Sequence, residues 1–344
     1  MQTGVRKRIT IADIARESGY SKTAVSFAFN NPDRISDEAC SRILETARKL
    51  NYIPDPRARN FSLGKQLTLG FLLPQAIDTC LANPYLVDVI RGLGRVCQEN
   101  GYMLSIIPPL NDSLYEAVKN ATVDGLVTMG YLGDGVSSLV DLIAMPLVMI
   151  DGGDDDAFLS INIDDEAAAC LQLEKVLEAG HRRISIVSLP APTLEPDAND
   201  SGIVACRMRG YRKALSAHGL DEGHVCFMQT HETTFDDGWR KAQEIISDGS
   251  TCVVTMSDIQ AYGIMEAFTE MGVRVPEDIS IVGFDDITGY RFPRRLTTIS
   301  QPGYEKGRLA ARTMFELLAG RKVSKVPLVP FSFIEGETLA GPKE

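Results

Sequence analysis

The chain has 344 residues, 44% of them apolar and 24% charged, which suits two or three domains with sizeable hydrophobic cores. No run of about eighteen apolar residues occurs, and no apolar stretch follows the basic N-terminus. We therefore expect no membrane span, no secretion signal and a cytoplasmic protein. The seven cysteines include no C-x-x-C pair and the four histidines lack metal-ligand spacing. These features predict reduced thiols, no metal and no cofactor.

The net charge of −11 argues against nucleic acid as a partner, but its distribution reverses that interpretation. Residues 1–66 carry 12 Lys and Arg against 7 Asp and Glu, a net charge of +5, whereas the rest carry 23 against 39, a net charge of −16. A basic head on an acidic body is expected when only the head contacts phosphates.

The first predicted elements are two short helices joined by a tight turn. Thr10, followed three residues later by Asp13, indicates a capped helix start, and Gly19 indicates its end. Ser21 can cap a second helix, and Ser36 can cap a third that has Arg48 and Lys49 in its last turn and completes a head of residues 1–54. Helices this short are not stable alone, so a compact three-helix head is expected. A second helix that presents small polar groups outward suits the reading of DNA base edges.

A short linker follows the head at residues 55–64. Asp55 and Pro56 are a good helix start signal and Gly64 is a good stop signal, but a helix of about two turns without a long apolar face is unstable in water. We interpret this segment as a linker that becomes helical when something holds it.

From residue 67 the pattern alternates between strands and helices. Strands are predicted over residues 67–73, 102–107, 125–129, 147–150, 184–188, 252–255 and 279–283, and helices over 86–99, 165–179, 206–218, 237–247, 261–271 and 304–318. This alternation predicts parallel sheets covered by helices on both faces. We expect two doubly wound subdomains, one of about 67–164 plus 295–325 and one of about 165–294 plus 326–344. A crevice between two such sheets is a usual ligand site.

The chain resembles the lactose repressor family of bacterial transcription regulators along nearly its whole length. In the head the resemblance rests on Ile11–Ala15, Gly19, Ser21, Val25–Ser26, Asn30, Ile35–Ser36 and Leu50–Pro54. In the body it rests on Asn83–Tyr85, Ala179–Ile184, Arg207 with Gly210–Tyr211, Val275–Asp286 and Leu296–Ile299.

The resemblance implies an all-α helix-turn-helix head and a body of the periplasmic-binding-protein type. It implies a homodimer whose heads enter successive major grooves of a pseudo-palindromic double-stranded DNA operator, with the linker helices in the minor groove. A small effector, a sugar or sugar derivative, would bind between the two subdomains and control operator affinity. No heptad-containing tail is seen, so a dimer is expected rather than a tail-mediated tetramer.

The resemblance also suggests which residues contact DNA. These are Ile11, Ser21, Lys22, Thr23, Ser26, Phe27, Asn30, Arg34 and Tyr52 in the head, and Asp55, Ala58, Arg59 and Phe61 in the linker. Phe27 replaces the arginine that the best-known member uses against guanine, so we expect it to contact a thymine methyl instead. Phe61 stands where the family usually has a leucine that wedges between base pairs. The alternatives are a solvated helix face, an ordinary surface arginine at position 34, and packing of Phe61 on the body.

Effector contacts are expected where side chains follow strand ends or lie in nearby loops and helices. The candidates are Asp78, Tyr85, Asp151, Arg207, Phe235, Ser257, Asp258 and Asp285. Carboxylates and an arginine beside aromatic rings suit a polyhydroxylated ligand. For each of them a helix cap or a bond between subdomains is the alternative, and Asp258 in particular could cap the helix that follows.

A second class of function is a cytoplasmic sugar-binding module or an α/β enzyme with an incidental basic N-terminus. An enzyme should show a nucleophile with its base or a phosphate loop, and the sequence contains no P-loop, G-x-S-x-G or H-E-x-x-H motif. We predict no catalytic residues, and we interpret His181 as an organiser of a helix end. The favoured prediction is a sequence-specific DNA-binding repressor controlled by an effector.

Overall fold

The computed structural model describes residues 9–52, 65–73, 75–110, 113–130, 145–152, 159–191, 202–288 and 293–343. The chain forms two compact units, a head, Met1–Leu67, and a body, Thr68–Glu344. None of the described helices is long and apolar enough to cross a membrane.

The head contains the three predicted helices. They are α1, Ile11–Ser18; α2, Lys22–Asn30; and α3, Asp37–Lys49, with a 3-10 turn at Pro32–Arg34 between the last two. The predicted caps are confirmed. Thr10 and Asp13 form a reciprocal capping box, and Gly19 ends α1 in the left-handed conformation with φ 77°. The Ser21 hydroxyl accepts a bond from the Ala24 amide at 3.1 Å. Such caps satisfy amides that have no partner inside the helix.

A small apolar core holds the three helices of the head together. Ile14, Val25 and Ile43, one from each helix, are fully buried in it. Helices of eight and nine residues depend on such packing for their stability, so the core determines how α2 is presented.

The body contains two sheets. The first has the strand order β2-β1-β3-β4-β5, and the second β11-β10-β9-β8-β6-β7. The strands are β1, Thr68–Leu72; β2, Met103–Ile107; β3, Gly125–Met129; β4, Leu147–Ile150; β5, Leu159–Ile161; β6, Ile184–Ser188; β7, Val225–Gln229; β8, Cys252–Thr255; β9, Ser280–Asp285; β10, Thr297–Ser300; and β11, Ser332–Ile334. All pairings are parallel except that of β10 with β11.

Helices lie between the strands of each sheet. They are α4, Ile77–Leu81; α5, Pro84–Glu99; α6, Leu114–Lys119; α7, Asp165–Glu178; α8, Ile203–Ala217; α9, Phe235–Asp248; α10, Asp258–Glu270; and α11, Gly303–Leu318. Three pairs pack extensively, α5 with α11, α7 with α8, and α9 with α10. The predicted doubly wound architecture is confirmed, since the strand order is 2-1-3-4-5 in the first half and the same in the second, where β11 adds a sixth strand at the edge.

The structure adds elements that the sequence pattern did not predict. These are the strands β5, β7, β10 and β11 and the short helices α4 and α6. β5 and β11 have three residues each, too few for a periodic signal. The strand β10 pairs with β9 of the second sheet, although residues from about 295 were predicted to belong to the first half. α11, which follows it, packs on α5 of the first half, so the chain returns to the first half after β10.

Candidate functional site

A chain of hydrogen bonds runs through the buried interior of the body near the ends of β4 and β9. The Tyr85 hydroxyl donates to Asp151 Oδ2 at 2.6 Å, and the Lys306 ammonium donates to Asp151 Oδ1. Lys306 also donates to Gln301 Oε1 at 2.7 Å, and the Gln301 amide donates to Asp285 Oδ1. Because Asp151 follows β4 and Asp285 ends β9, this series of hydrogen bonds connects the two sheets.

The second sheet adds hydroxyl and backbone partners for two carboxyl groups. Asp285 Oδ2 accepts from the Ser257 hydroxyl at 2.8 Å. Asp258 accepts from the Thr298 hydroxyl at 2.6 Å and from the Ile287 amide at 3.0 Å. The alternative that Asp258 caps α10 is wrong, because Ser257 is the N-cap residue and Asp258 is the first residue of the helix.

Arg207 on α8 is held by bonds within the second half. Its Nε donates to Asp165 Oδ1 at 2.9 Å and its Nη1 donates to the Met256 carbonyl at 2.6 Å. The guanidinium carbon lies 3.6 Å from the centre of the Phe284 ring, so the group is stacked and clamped. We call these buried groups, namely Tyr85, Asp151, Asp165, Arg207, Ser257, Asp258, Asp285, Thr298, Gln301 and Lys306, the crevice network.

The two halves place an aspartate at equivalent positions. Asp151 follows the fourth strand of the first sheet and Asp285 ends the corresponding strand of the second. Their φ angles are 56° and 131°, in the region that favours glycine. Such backbone strain is most often found at binding and catalytic sites.

Burial controls the protonation of the network. It raises the pKa of Asp285 to about 6, although the neighbouring Arg207 acts to lower it. The pKa of Asp258 is raised well above its usual value, first by burial and then by the charge of Asp285. Burial, followed by the charge of Asp151, raises the pKa of Tyr85 well above its usual value. The network therefore combines hydroxyl, amide and cationic donors with carboxyl groups at Asp258 and Asp285 whose pKa values are raised by burial.

Six of the eight predicted effector residues lie in the crevice network. The other two, Asp78 and Phe235, lie outside it. Asp78 lies on the short helix α4 and is exposed, whereas every member of the network is buried. Phe235 was predicted in a loop and is instead the first residue of α9, where it packs against the hydrophobic core.

Sequence reasoning missed Asp165, Thr298, Gln301 and Lys306. Lys306 carried a usable signal, because it lies on the same face of α11 as the buried residues Ala310 and Thr313. A lysine on an apolar face is rarely buried without a charged partner. Among the described residues, no group of His, Cys, Asp and Glu is arranged to hold a metal ion.

The predicted DNA-contacting residues of the head lie mostly on one face of α2. Lys22 and Thr23 are exposed, and Ser26, Phe27 and Asn30 are half-buried. Three other candidates also support the fold. Ser21 caps α2, and Ile11 and Tyr52 pack against the head core, where the Tyr52 ring lies 5.5 Å from that of Phe29.

Arg34 reaches back to this face from the 3-10 turn. Its guanidinium carbon lies 5.7 Å from the centre of the Phe27 ring. The four linker candidates, Asp55, Ala58, Arg59 and Phe61, lie outside the described residues.

The arrangement defines a class of protein. A basic head with a helix-turn-helix presents polar side chains on its second helix, and a body of two like α/β halves contains a buried polar network at strand ends. These are the features of a ligand-responsive DNA-binding regulator.

Comparison with known proteins agrees with this class. Residues 10–55 match the bacterial regulatory proteins of the lacI family, and residues 173–339 match the periplasmic binding protein-like domain. The ribose operon repressor of Haemophilus influenzae is 30% identical over 322 residues, which cover 89% of this chain and 91% of that protein. The transcriptional repressor CytR of Escherichia coli is 28% identical over 327 residues, 91% of each chain.

The fold has a solved counterpart. The lac repressor dimer bound to operator and the anti-inducer ONPF superimposes with a TM-score of 0.78 over 97% of this chain and all of that one, at 23% identity. The chain belongs to the lacI family of bacterial regulatory proteins and is a DNA-binding regulator of transcription.

Proposed function

We propose that the protein is a cytoplasmic repressor that binds a pseudo-palindromic operator as a homodimer and is controlled by a sugar or a closely related polyhydroxylated compound. The crevice network is the effector site and acts in binding rather than in catalysis. The observation that carries this proposal is the hydrogen-bonded group of Arg207, Asp285 and Asp151, in which the two aspartates lie at strand ends of the two sheets.

The chemistry of the network suits sugar hydroxyl groups. Each hydroxyl can donate to a carboxylate while it accepts from an arginine, lysine or amide group, and Asp151, Asp285, Arg207 and Lys306 supply both kinds of partner. The relative from Haemophilus influenzae is named for the ribose operon, which supports a sugar as the effector class.

Control of operator affinity follows from where the network lies. Its bonds connect groups at the end of β4 with groups at the end of β9, so a ligand that replaces them changes the preferred arrangement of the two halves. An effector shifts the regulator between states only by its difference in affinity for them. We propose that this difference is expressed as altered operator affinity.

The first half supplies a surface for the dimer. Six of the ten large apolar side chains that are exposed in the described part of the chain lie between residues 77 and 115. They are Ile77, Leu81, Val87, Met103, Leu110 and Tyr115. Met103 is 70% exposed and lies on β2, the edge strand of its sheet. An exposed apolar side chain on an open sheet edge favours association with another chain, and we propose that these six residues together form the dimer surface, which we call the apolar edge.

Two measurements test the proposed function. The full-length protein is incubated with a random duplex library, and the bound fraction is sequenced after several rounds. We expect one shared inverted-repeat sequence. A library without enrichment would contradict operator recognition, and a variant lacking residues 1–67 should enrich nothing.

The effector is sought by thermal shift on the full-length protein with a panel of neutral sugars, sugar phosphates and nucleosides. A ligand at a hundred times its Kd stabilises the body by about 2.7 kcal/mol, which is easily measured. Arg207→Met should abolish the shift. Arg212 lies on the same helix α8, is half-buried and pairs with Glu222 after the helix, so Arg212→Met is the matched control and should retain the shift. A shift that survives Arg207→Met would place the effector elsewhere.

A further inference from the structure

Phe27 is an aromatic side chain on the face of α2 that is otherwise polar. Positions 23, 27 and 30 follow the helical spacing of four and three, so Phe27 lies between Thr23 and Asn30 on one surface. Phe29, two residues later, packs against the head core, whereas Phe27 is half-buried on the outer face. The ring therefore has apolar surface directed to whatever this helix face contacts.

The backbone fixes Arg34 beside that ring. The Asn31 amide donates to the Phe27 carbonyl at 2.8 Å, and the Arg34 amide donates to the Asn31 carbonyl at 3.0 Å. Pro32 restricts the turn between them. The turn consequently places Arg34 beside Phe27, and its exposed side chain has the guanidinium carbon 5.7 Å from the centre of the Phe27 ring. A guanidinium attracted to the ring in this way still has N–H groups that can donate to another partner.

The two side chains have complementary preferences among base edges in the major groove. A phenyl ring contacts the methyl group of thymine, and a guanidinium donates two bonds to the O6 and N7 of guanine. The rise per base pair is about 3.4 Å, so groups separated by 5.7 Å reach neighbouring pairs rather than distant ones.

We propose that Phe27 and Arg34 act as one reading unit, which recognises a T·A pair directly beside a G·C pair in each operator half-site. Phe27 reads the thymine methyl and also positions Arg34, and Arg34 reads the guanine. This inference rests on the proposed function, because it concerns the sequence that the operator contains.

The test begins with the full-length protein and the sequence enriched from the random duplex library. Each thymine of one half-site is replaced in turn by uracil, which removes a single methyl group and leaves the base pairing unchanged. We expect one position at which affinity falls about fourfold, the value expected for one buried methyl. The adjacent pair should be G·C, and replacement of its guanine by 7-deazaguanine should also weaken binding.

Variants then assign each contact to its side chain. With Phe27→Ala, the sensitive uracil substitution should have no further effect on affinity. With Arg34→Lys, the preference for G·C at the adjacent pair should fall about tenfold or more, because lysine cannot form the same planar pair of bonds. Arg48→Ala removes one exposed positive charge from α3 and serves as the control, which should weaken all duplexes alike. Binding of unrelated duplexes at low salt shows that each variant head is folded.

Each outcome separates this inference from the proposed function. Absence of any enriched sequence contradicts both. An enriched sequence that tolerates uracil at every position contradicts the reading unit alone, and the same holds if the uracil effect persists in Phe27→Ala or if Arg34→Lys keeps the base preference of the wild type.

Discussion

Lys306 occupies a position on α11 where the neighbouring side chains are apolar or small. Its side chain is fully buried, its ammonium bonds to Asp151 and Gln301, and it lies 5.6 Å from the centre of the Tyr85 ring. Removing an ammonium and a carboxylate from water costs several kcal/mol each, and their attraction repays this only with good geometry. The pair is therefore better understood as part of the binding site than as a source of stability.

Removal of one partner should reveal this cost. Lys306→Met keeps the length of the side chain but leaves the Asp151 carboxylate buried without its cation, and we expect a loss of about 3 kcal/mol in the free energy of unfolding. The double variant Lys306→Met with Asp151→Asn carries no buried charge at the pair and should regain most of that loss. Urea titration followed by fluorescence measures both, because Trp239 is the only tryptophan and lies in the body. Equal stability of the single variant and the wild type would contradict the argument.

Asp285 should make the stability of the body depend on pH. Burial raises its pKa from 3.8 to about 6 in the folded protein, so the folded state holds the proton more tightly than the unfolded chain. The contribution of this group is fully present below about pH 3.8 and is lost as the pH rises through about 6. Wild type should therefore lose stability relative to Asp285→Asn between pH 4 and pH 7.

His181 also contributes to the pH dependence of stability in this range, and its contribution has the opposite sign. Wild type must therefore be compared with the Asp285→Asn variant. Burial lowers the pKa of the His181 imidazole, so its contribution is present above about pH 6.5 and is lost as the pH falls. The ring bonds to Thr251 and the Ala340 carbonyl and not to Asp285, so we expect its effect to cancel in the difference between the two proteins. A difference between wild type and variant that did not change with pH would show that Asp285 does not titrate as described.

At the scale of elements, glycines permit the close approach of the packed helices. A Cβ on Gly92 of α5 would lie 2.1 Å from the Tyr304 carbonyl oxygen, and one on Gly307 of α11 would lie 2.2 Å from the Val89 carbonyl. The pair α7 and α8 shows the same feature at Gly210, and the pair α9 and α10 shows it at Gly263. Gly92 therefore has a packing role.

Two glycines of α5, Gly92 and Gly94, allow a matched test of that role. Gly92→Ala forces α5 and α11 apart, and overpacking of this kind costs about 1 to 3 kcal/mol. A Cβ on Gly94 would have its nearest neighbour at 3.8 Å, so Gly94→Ala should increase stability by up to about 1 kcal/mol through higher helix propensity. The free energy of unfolding, measured in urea, should fall for Gly92→Ala and rise for Gly94→Ala. A change in the same direction for both variants would contradict a packing role for Gly92.

Elements with strong local signals were predictable from the sequence, and long-range partners were not. The caps at Thr10, Ser21 and Ser36 depend on residues three positions apart, which sequence spacing reveals. Asp151 and Asp285 could be assigned to one ligand site because each lies at the carboxyl end of a parallel strand, where open α/β sheets bind ligands. The bond from Lys306 to Asp151 joins residues 155 positions apart and depends on how α11 packs, which no local pattern encodes.

At the scale of the whole molecule, the opposite charges of head and body separate two tasks. The head has excess positive charge for phosphates, whereas the acidic body contributes repulsion that limits nonspecific contact with DNA. Two heads must then be brought to one operator by the bodies. The apolar edge defined by Ile77, Leu81, Val87, Met103, Leu110 and Tyr115 is the surface that we assign to this association.

A charge placed on the apolar edge should dissociate the dimer and weaken operator binding. Met103→Lys would bury an unpaired ammonium in the interface, and we expect sedimentation equilibrium at micromolar protein to show a monomer. A single head makes half of the phosphate and base contacts, so operator affinity should fall at least about tenfold. Met271→Lys at the end of α10, where the methionine is 43% exposed, adds the same charge to the second half and should leave a dimer with unchanged affinity. If the Met103→Lys protein remained dimeric, the dimer interface would not include the apolar edge.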